Sequence, residues 1–186
     1  ALRAILRQDP DVVMIGEMRD QETAEISIQA AMTGHLVFST LHTNDAISAI
    51  PRLLDLGIPA YLVAATLEGV LAQRLVRRIC PDCRAEDTPN RDSASHGARH
   101  ATGDARPSHG AGCPACRGTG YRGRVGLFEL IIVTDALRDA IAGGAPSSRL
   151  RALAEESGMV TLLADGWQKV RMGWTTVEEV ARAVQS

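Results

Sequence analysis

The sequence predicts an α/β fold with a parallel sheet, followed by a cysteine-rich middle and a helical C-terminal region. Over residues 1–79, short apolar runs alternate with longer helical patterns, which is the order expected of a parallel sheet. The four cysteines form two C-x-x-C pairs in the middle of the chain, and helical patterns dominate after residue 134. With 186 residues, 45% of them hydrophobic, the chain can bury a core.

The beginning of the chain predicts a strand, a helix and a second strand. "DVVMI" at 11–15 is a short apolar run typical of a buried strand, and "HLVFST" at 35–40 is another. Between them, residues 20–32 have a helical pattern that Asp20 can cap. This order predicts two parallel strands joined by a helix.

A further helix is expected after the second strand. Its N-cap candidates are Thr43, Asn44 and Asp45, and it should end near Gly57. Pro51 lies inside this pattern, so we expect a kink there, because proline removes a helical hydrogen bond.

The next part of the chain loses its regular pattern. Residues 60–79 continue as helix, although 73–79 could instead form a final strand. From 86 to 112 there is no Leu, Ile, Val or aromatic residue, which predicts a flexible loop whose ends are tied together by the cysteine pairs on either side. A regular pattern typical of a strand resumes at 124–133.

The C-terminal region is expected to be helical. Thr175 and Glu178 match a capping box for the last of its helices. Trp167 and Trp174 are seven residues apart, at helical spacing, and are expected in a core or an interface rather than in a stacking platform. The predicted helices lie at 134–142, 147–157, 161–172 and 176–184.

The two C-x-x-C pairs, "CPDC" at 80–83 and "CPAC" at 113–116, predict a metal site. Four thiolates at such spacing suit tetrahedral zinc. Two redox-active or disulfide-bonded pairs are the alternative, which a reducing cytoplasm disfavours. The candidate zinc ligands are therefore Cys80, Cys83, Cys113 and Cys116.

Charged and polar groups come directly after the two predicted strands. Glu17 lies just past the first, and Ser39, Thr40 and His42 lie at the end of the second. Ligands of open parallel sheets bind beyond the carboxyl ends of the strands. A carboxylate there can hold Mg²⁺ through water or orient an attacking water, and hydroxyl and imidazole groups can read a terminal phosphate.

A plainer interpretation of the same residues stays open at this point. Glu17 and Asp20 could be ordinary loop and cap residues with Arg19 as their surface partner, and His42 a packing residue. The basic cluster "RLVRR" at 74–78 could likewise be a solvated strand edge, or a surface for nucleotide, a neighbouring subunit or anionic lipid.

Charge and hydropathy narrow the functional classes. Twenty-two acids against twenty bases give a net charge of -2, which does not favour a general nucleic-acid binder. No apolar run approaches the roughly 18 residues of a membrane span, and the N-terminus lacks a signal-peptide layout, so we expect a cytoplasmic chain. The opening "ALRAILRQDP" has helical rhythm without an initiator Met, so we expect part of a longer protein.

Several segments resemble one protein family. "DPDVVMIGEMRD" resembles the Walker B segment, and "TGHLVFSTLHTNDA" the histidine box, of the type II secretion and type IV pilus ATPases. "LAQRLVRRICPDC" with the second C-x-x-C resembles the secretion and pilus assembly branch, and "GMVTLLADGWQKVRMGWTTVEEV" resembles its C-terminal tail. The resemblance implies the C-terminal part of a RecA-like P-loop NTPase domain. It also implies a motor that hydrolyses ATP to power type II secretion or type IV pilus assembly.

The resemblance also implies site residues and partners. Glu17 becomes the Walker B acid near Mg²⁺ and the attacking water, and His42 a sensor of the terminal phosphate, with Thr40 and His35 as further nucleotide-binding candidates. ATP and Mg²⁺ are thereby expected beside Zn²⁺. The implied assembly is a cytoplasmic homohexamer attached peripherally to the bacterial inner membrane through a platform protein and cytoplasmic adaptor proteins, without nucleic acid.

The sequence departs from the family pattern at two points. Gly16 occupies the usual Walker B aspartate position, so Glu17 must supply the acid. No G-x-x-x-x-G-K-[ST] occurs in the 186 residues. We therefore expect the phosphate loop, the aspartate box and the intersubunit arginines upstream, and we expect residues 1–186 alone to be inactive.

These patterns predict three segments. Residues 1–79 should be the RecA-like ATPase core, 80–117 a zinc-binding module with its loop, and 118–186 a C-terminal strand and helical region. The competing classes are a zinc-stabilised nucleic-acid or protein binding module without catalysis, and a thiol redox protein.

Overall fold

The first strand, helix and second strand form where the apolar pattern predicts them, but the second strand is only partly buried and not buried as expected. The computed structural model describes residues 10–86 and 107–184. In its first strand Val13 and Ile15 are buried. The carboxylate of Asp20 accepts a 2.8 Å hydrogen bond from the Thr23 N–H and caps the helix that follows, as predicted.

The strands are β1 (Val12–Ile15), β2 (Leu36–Ser39), β3 (Gly69–Ile79), β4 (Arg84–Glu86), β5 (Ser108–Gly110) and β6 (Tyr121–Ile132). The helices are α1 (Gln21–Met32), α2 (Ala49–Asp55), α3 (Ala60–Thr66), α4 (Asp135–Ala142), α5 (Ser147–Glu156), α6 (Leu162–Arg171) and α7 (Val177–Val184).

The strands pair into two-stranded sheets. β1 and β2 are parallel, with Val12 opposite Leu36 and Ile15 opposite Ser39. β3 pairs with β6, and β4 pairs with β5 in antiparallel register. β4 and β5 lie at the two ends of the predicted loop over 86–112, so these ends are joined as expected, while 87–106 lies outside the described residues.

The parallel pair has one strongly apolar, exposed face. Val12 lies beside Leu36 and Met14 beside Phe38, and all four side chains are exposed. Parallel sheets are normally covered on both faces.

The chain divides into two compact units. The first comprises the described residues up to Leu71 together with Leu130–Met159, and its core includes Ile47, Ile50 and Val63. The second comprises Ala72–Glu129 and the described residues from Val160 onward. Its core contains Val76, Leu127, Leu162, Trp167, Val170 and Val180, so Trp167 is a core residue as expected.

The helix after β2 starts later than predicted. α2 begins at Ala49, and Asp45 instead accepts a 2.8 Å hydrogen bond from the Ser48 N–H in the turn before it. Pro51 therefore lies in the first turn of α2, where backbone N–H groups have no intrahelical acceptor. The expectation of a kink was wrong, because it placed Pro51 in the interior of the helix.

Two further boundaries differ from the prediction. The helix expected to continue over 60–79 ends at Thr66. The strand given as the alternative for 73–79 is confirmed but begins earlier, because pairing with β6 makes Gly69–Ile79 a strand along its whole length. The capping residue of the last helix lies one position later than predicted. Thr176 accepts a 3.4 Å hydrogen bond from the Glu179 N–H, while the Thr175 hydroxyl donates to the Arg77 carbonyl at 2.8 Å.

No helix within residues 10–86 or 107–184 has the length and apolar character required to span a bilayer.

Candidate functional site

The parallel pairing of β1 and β2 brings Glu17 and Thr40 to the same edge of the sheet. Ile15 and Ser39 are opposite each other at the carboxyl ends of the two strands. The Thr40 hydroxyl donates a 2.7 Å hydrogen bond to the Gly16 carbonyl, and the Thr40 carbonyl accepts one of 3.1 Å from the Met18 N–H. Thr40 thus holds the backbone on both sides of Glu17.

The Glu17 carboxylate lies between two nitrogen groups, and its side chain is only 20% exposed. Its Oε2 atom accepts a 2.5 Å hydrogen bond from Arg19 Nε. Nε2 of His42 lies against the Oε1 atom and is an ion-pair partner when the imidazole is protonated. Oε1 is buried, and its polar contact within the described residues is the one with the His42 imidazole. Arg19 and His42 are both largely exposed, so either can move away and leave the carboxylate free for a ligand.

His42 also borders an open polar cavity of about 280 Å³. Its walls come from the segment after β2 and from α2. Because His42 contacts both Glu17 and this cavity, the candidate site extends from the sheet edge towards α2. The lining residues are His42, Thr43, Asn44, Ser48, Pro51, Arg52 and Asp55.

His35 lies apart from these residues. It precedes β2, at the end of the strand opposite to Thr40. Its Nδ1 atom is 2.9 Å from the Thr33 hydroxyl and 3.0 Å from the Ala30 carbonyl, next to the last turn of α1. The structure therefore brings Glu17, Thr40 and His42 together and places His35 at the other edge.

The four cysteines form one cluster in the second unit. Their sulfur atoms all lie within 4.8 Å of one another. Sγ–Sγ distances are 3.9 Å between Cys80 and Cys113, 3.8 Å between Cys83 and Cys116, and 3.7 Å between Cys113 and Cys116. A disulfide requires about 2.05 Å, and all four cysteines are free thiols.

The turn after the second C-x-x-C pair directs backbone N–H groups at sulfur. Arg117 adopts a left-handed conformation with φ 54°, and the chain then folds back so that the N–H groups of Cys113 and Gly120 donate to Cys116 Sγ at 3.2 and 3.3 Å. Gly120 has φ 75°, and a Cβ there would lie 2.5 Å from the Gly110 carbonyl oxygen. Glycine at this position therefore permits the close approach that places the N–H on the sulfur.

These contacts separate the acidities of the thiols. Burial acts to raise the pKa of Cys116, but the N–H groups of Cys113 and Gly120 and the neighbouring thiols stabilise its thiolate and lower the pKa to about 6. Burial raises the pKa of Cys83 to about 12, assisted by the other thiols around it. Within the cluster the thiolate form is thus favoured at Cys116 and disfavoured at Cys83.

Two ion pairs were not predicted from the sequence, because each joins residues about a hundred positions apart. Arg151 donates to Asp45 at 2.5 Å in the first unit, and Arg77 donates to the buried Glu179 at 2.6 Å in the second. Arg77 also lies over the Tyr121 ring, 4.1 Å from its centroid. This arginine of the basic cluster is therefore engaged within its own unit.

Comparisons with known proteins agree with the geometry. Residues 1–182 match the family model described as "Type II/IV secretion system protein". Over 185 residues the chain is 48% identical to the type II secretion system protein HxcR of Pseudomonas aeruginosa, covering all of this chain and 36% of that protein. It is 48% identical over 188 residues to the type IV pilus assembly ATPase PilB of Thermus thermophilus, covering all of this chain and 21% of that protein.

The solved structures give the same fold. The crystal structure of the pilus retraction motor PilT with bound ADP superposes with a TM-score of 0.67 at 31% identity, covering 98% of this chain and 42% of that one. The α/β, RecA-like fold class is thereby confirmed. The chain spans between about a fifth and about two fifths of the length of these three relatives. Since the family model matches nearly every residue, the chain belongs to the type II/IV secretion system protein family.

Proposed function

We propose that this chain is the C-terminal part of a motor that hydrolyses ATP to power type II protein secretion or type IV pilus assembly. The observation that carries the proposal is the convergence of Glu17, Thr40 and His42 at the carboxyl edge of β1 and β2. This is the edge at which parallel α/β sheets bind ligands. The names of the relatives, type II secretion proteins and a type IV pilus assembly ATPase, support the same activity.

Glu17 is proposed to orient the attacking water. Its carboxylate is held by Arg19 through Oε2, and its Oε1 is buried against the exposed His42 imidazole, which can move away. An oxygen in that position can accept a hydrogen bond from water and hold it in line with a phosphoryl group.

Thr40 and His42 are proposed to support Glu17 in different ways. Thr40 fixes the backbone around the carboxylate through Gly16 and Met18. The His42 imidazole contacts Oε1 and is exposed, so it can exchange this contact for a hydrogen bond to the terminal phosphate. His35 has its hydrogen bonds at the other edge, and a nucleotide-binding role for it is not favoured by this placement.

The residues present fit Mg²⁺ as the companion of ATP. Glu17 Oε1 is a buried carboxylate oxygen whose polar neighbour, the exposed His42 imidazole, can move away, and Mg²⁺ is bound in proteins by one or two carboxylates, directly or through water. When bound, the ion neutralises charge on the phosphates of the nucleotide. Glu17 is the residue proposed to hold it.

The cysteine cluster is proposed to hold one Zn²⁺. Four sulfur atoms about 2.3 Å from a central ion lie about 3.8 Å apart along the edges of a tetrahedron. The distances of 3.7, 3.8 and 3.9 Å match that value. Two separate redox pairs would not require contacts between the C-x-x-C motifs, so a single metal site explains the arrangement better than a thiol redox centre does. No comparison supports a nucleic-acid binding module.

The remaining parts of the proposal rest on the family. They are a homohexamer in the cytoplasm, attached to the inner membrane through platform and adaptor proteins, and a division into an ATPase core (1–79), a zinc module (80–117) and a C-terminal region (118–186). The exposed apolar face of β1 and β2 supports further elements packed on this face in the full-length protein, because such a face is normally covered.

The decisive experiment is Glu17→Gln in the full-length protein, with Glu25→Gln on exposed α1 as the matched control. Glu17→Gln keeps the shape and removes the charge, so ATP binding should persist while turnover falls by about 100-fold or more. Glu25→Gln should leave turnover unchanged, because the Glu25 carboxylate bonds only Gln21 on the helix surface among the contacts the structure shows. Full activity in a folded Glu17→Gln variant would refute the assignment.

A further inference from the structure

The segment that carries His42 has no regular secondary structure, so its position depends on side-chain contacts. Residues 40–48 connect β2 to α2. Asp45 lies three positions after His42 and makes two contacts with its two oxygens: Oδ1 accepts the Ser48 N–H at 2.8 Å, and Oδ2 accepts the Arg151 guanidinium at 2.5 Å. The first contact is local, and the second joins the segment to a helix 106 residues away.

The helix that supplies Arg151 is firmly packed. In α5, Leu150 and Ala154 are buried in the first unit, on either side of Arg151 in sequence. The chain directly after Asp45 is also fixed, since Ala46 and Ile47 are almost completely buried. The ion pair therefore connects two anchored elements, and His42 lies on the exposed stretch between this anchor and β2.

The pair is partly shielded from water. The side chain of Asp45 is 26% exposed and that of Arg151 is 38% exposed. Burial acts to raise the pKa of Asp45, but the hydrogen bonds from Ser48 and Arg151 outweigh it and hold the pKa below its usual range. Asp45 is thus ionised at neutral pH, which favours the contact with Arg151.

We propose that Arg151, acting through Asp45, is a positioning residue that holds the His42 segment against Glu17 for ATP hydrolysis. The inference rests on the proposed ATPase function and adds to it a requirement for α5, a helix that contributes no group to the candidate site itself. Small displacements of positioned groups reduce the rate of the chemical step more than they reduce substrate binding.

The same helix provides a matched control. Arg149 lies two positions before Arg151 on α5 and so projects from a nearly opposite side of the helix. Its side chain is 57% exposed, and its ion pair with Glu156 is long, at 3.9 Å. Exposed pairs of this kind contribute little to stability. Arg149→Gln removes the same charge from the same helix without touching the His42 segment.

The experiment compares Arg151→Gln, Asp45→Asn, their combination and Arg149→Gln in the full-length protein. ATP turnover is measured together with amide hydrogen exchange over residues 41–48. For Arg151→Gln we expect kcat to fall about tenfold with KM for ATP changed by less than about twofold, because positioning is lost while binding is kept. Amide exchange over 41–48 should become faster. Adding Asp45→Asn should cause little further loss of kcat, because both substitutions break the same Asp45–Arg151 contact.

The outcomes separate this inference from the proposed function. If amide exchange over 41–48 is the same in Arg151→Gln and Arg149→Gln, the Asp45–Arg151 contact does not hold the His42 segment in place. This conclusion holds whatever the ATP turnover of the two variants. If exchange changes but kcat does not, the positioning role is overturned. A wild-type protein without ATPase activity would refute the proposed function and with it the positioning role. Amide exchange would still decide whether the Asp45–Arg151 contact holds the His42 segment. Should Arg151→Gln fail to fold, Arg151→Lys, which keeps the charge but loses the planar fork, is judged by the same two measurements.

Discussion

The hydroxyl of Thr40 donates a 2.7 Å hydrogen bond to the carbonyl oxygen of Gly16, 24 positions earlier in the chain. This contact joins the ends of two parallel strands immediately before the carboxylate of Glu17. It explains how an exposed loop can present a carboxylate in a fixed place: the backbone before Glu17 is bound by the Thr40 side chain, and the backbone after it by the Thr40 carbonyl.

Replacing Thr40 with valine should therefore loosen Glu17 without changing the volume of the side chain. The Gly16 carbonyl loses its donor, and we expect a loss of about 0.5–1.5 kcal/mol in the free energy of unfolding. Turnover of the full-length protein should fall as well, because the carboxylate is less firmly held. Denaturant unfolding and an ATPase assay measure the two effects. Thr40→Ser keeps the hydroxyl and is the control, and equal behaviour of the two variants would show that the hydrogen bond is unimportant.

His42→Ala should lower turnover and leave folding intact. The imidazole is exposed and contacts Glu17 Oε1, so its removal costs little packing but removes the proposed contact to the terminal phosphate. A loss of roughly 10- to 100-fold in kcat is expected for a hydrogen-bonding group of this kind. Thermal unfolding checks stability in parallel. Unchanged kinetics in a folded variant would return His42 to the packing interpretation.

The chain expressed as residues 1–186 should bind about one zinc ion and hydrolyse no ATP. The sulfur cluster has the dimensions of a tetrahedral site, whereas no phosphate loop occurs in this sequence. Cys113→Ser should release the metal and destabilise the second unit, since metal binding contributes folding free energy there. Metal analysis and an ATPase assay on the purified chain decide both points. Metal-free wild-type chain would contradict the zinc proposal, and real turnover would contradict the expected inactivity.

Acidification should weaken the second unit through Glu179. Its side chain is only 2% exposed. Burial acts to raise the pKa of Glu179, but hydrogen bonds from Arg77 and Arg182 outweigh it and hold the pKa below its ordinary value of 4.5. A carboxyl group with a lowered pKa in the folded state contributes stability above its unfolded-state pKa, and this contribution is lost as the pH falls through the folded-state value.

The corresponding measurement is the melting temperature as a function of pH. At pH 7, Glu179→Gln should be less stable than wild type by roughly 1.5–3 kcal/mol, because the charged acceptor of Arg77 is lost. As the pH falls below 4.5 and through the lowered folded-state pKa of Glu179, the gap between the two proteins should narrow, because wild-type Glu179 becomes protonated. Arg149→Gln, which alters an exposed ion pair, should follow the wild-type curve. A gap that stays constant with pH would show that Glu179 does not cause the acid sensitivity.

Local patterns predicted most of the elements and most of the candidate site. The apolar runs around Val13 and Val37, the cap at Asp20 and the spacing of the four cysteines are all properties of short segments. Parallel pairing of two strands joined by a helix then places Glu17 and Thr40 at one edge without further information. The cluster of four cysteines followed in the same way from two motifs that each contribute two thiols.

Tertiary contacts decided the features that local patterns misassigned or could not reveal. Gly69–Ile79 has a helical apolar pattern in part, yet it is a strand because β6 supplies a partner for its backbone. Thr175 does not cap α7, because its hydroxyl donates a hydrogen bond to the Arg77 carbonyl, and Thr176 accepts the Glu179 N–H instead. The Asp45–Arg151 and Arg77–Glu179 pairs join residues more than a hundred positions apart, and no short-range pattern encodes which charges meet across that distance. The physical reason is that propensity and capping act within a few residues, whereas ion pairing and strand pairing depend on where the folded backbone brings distant groups together.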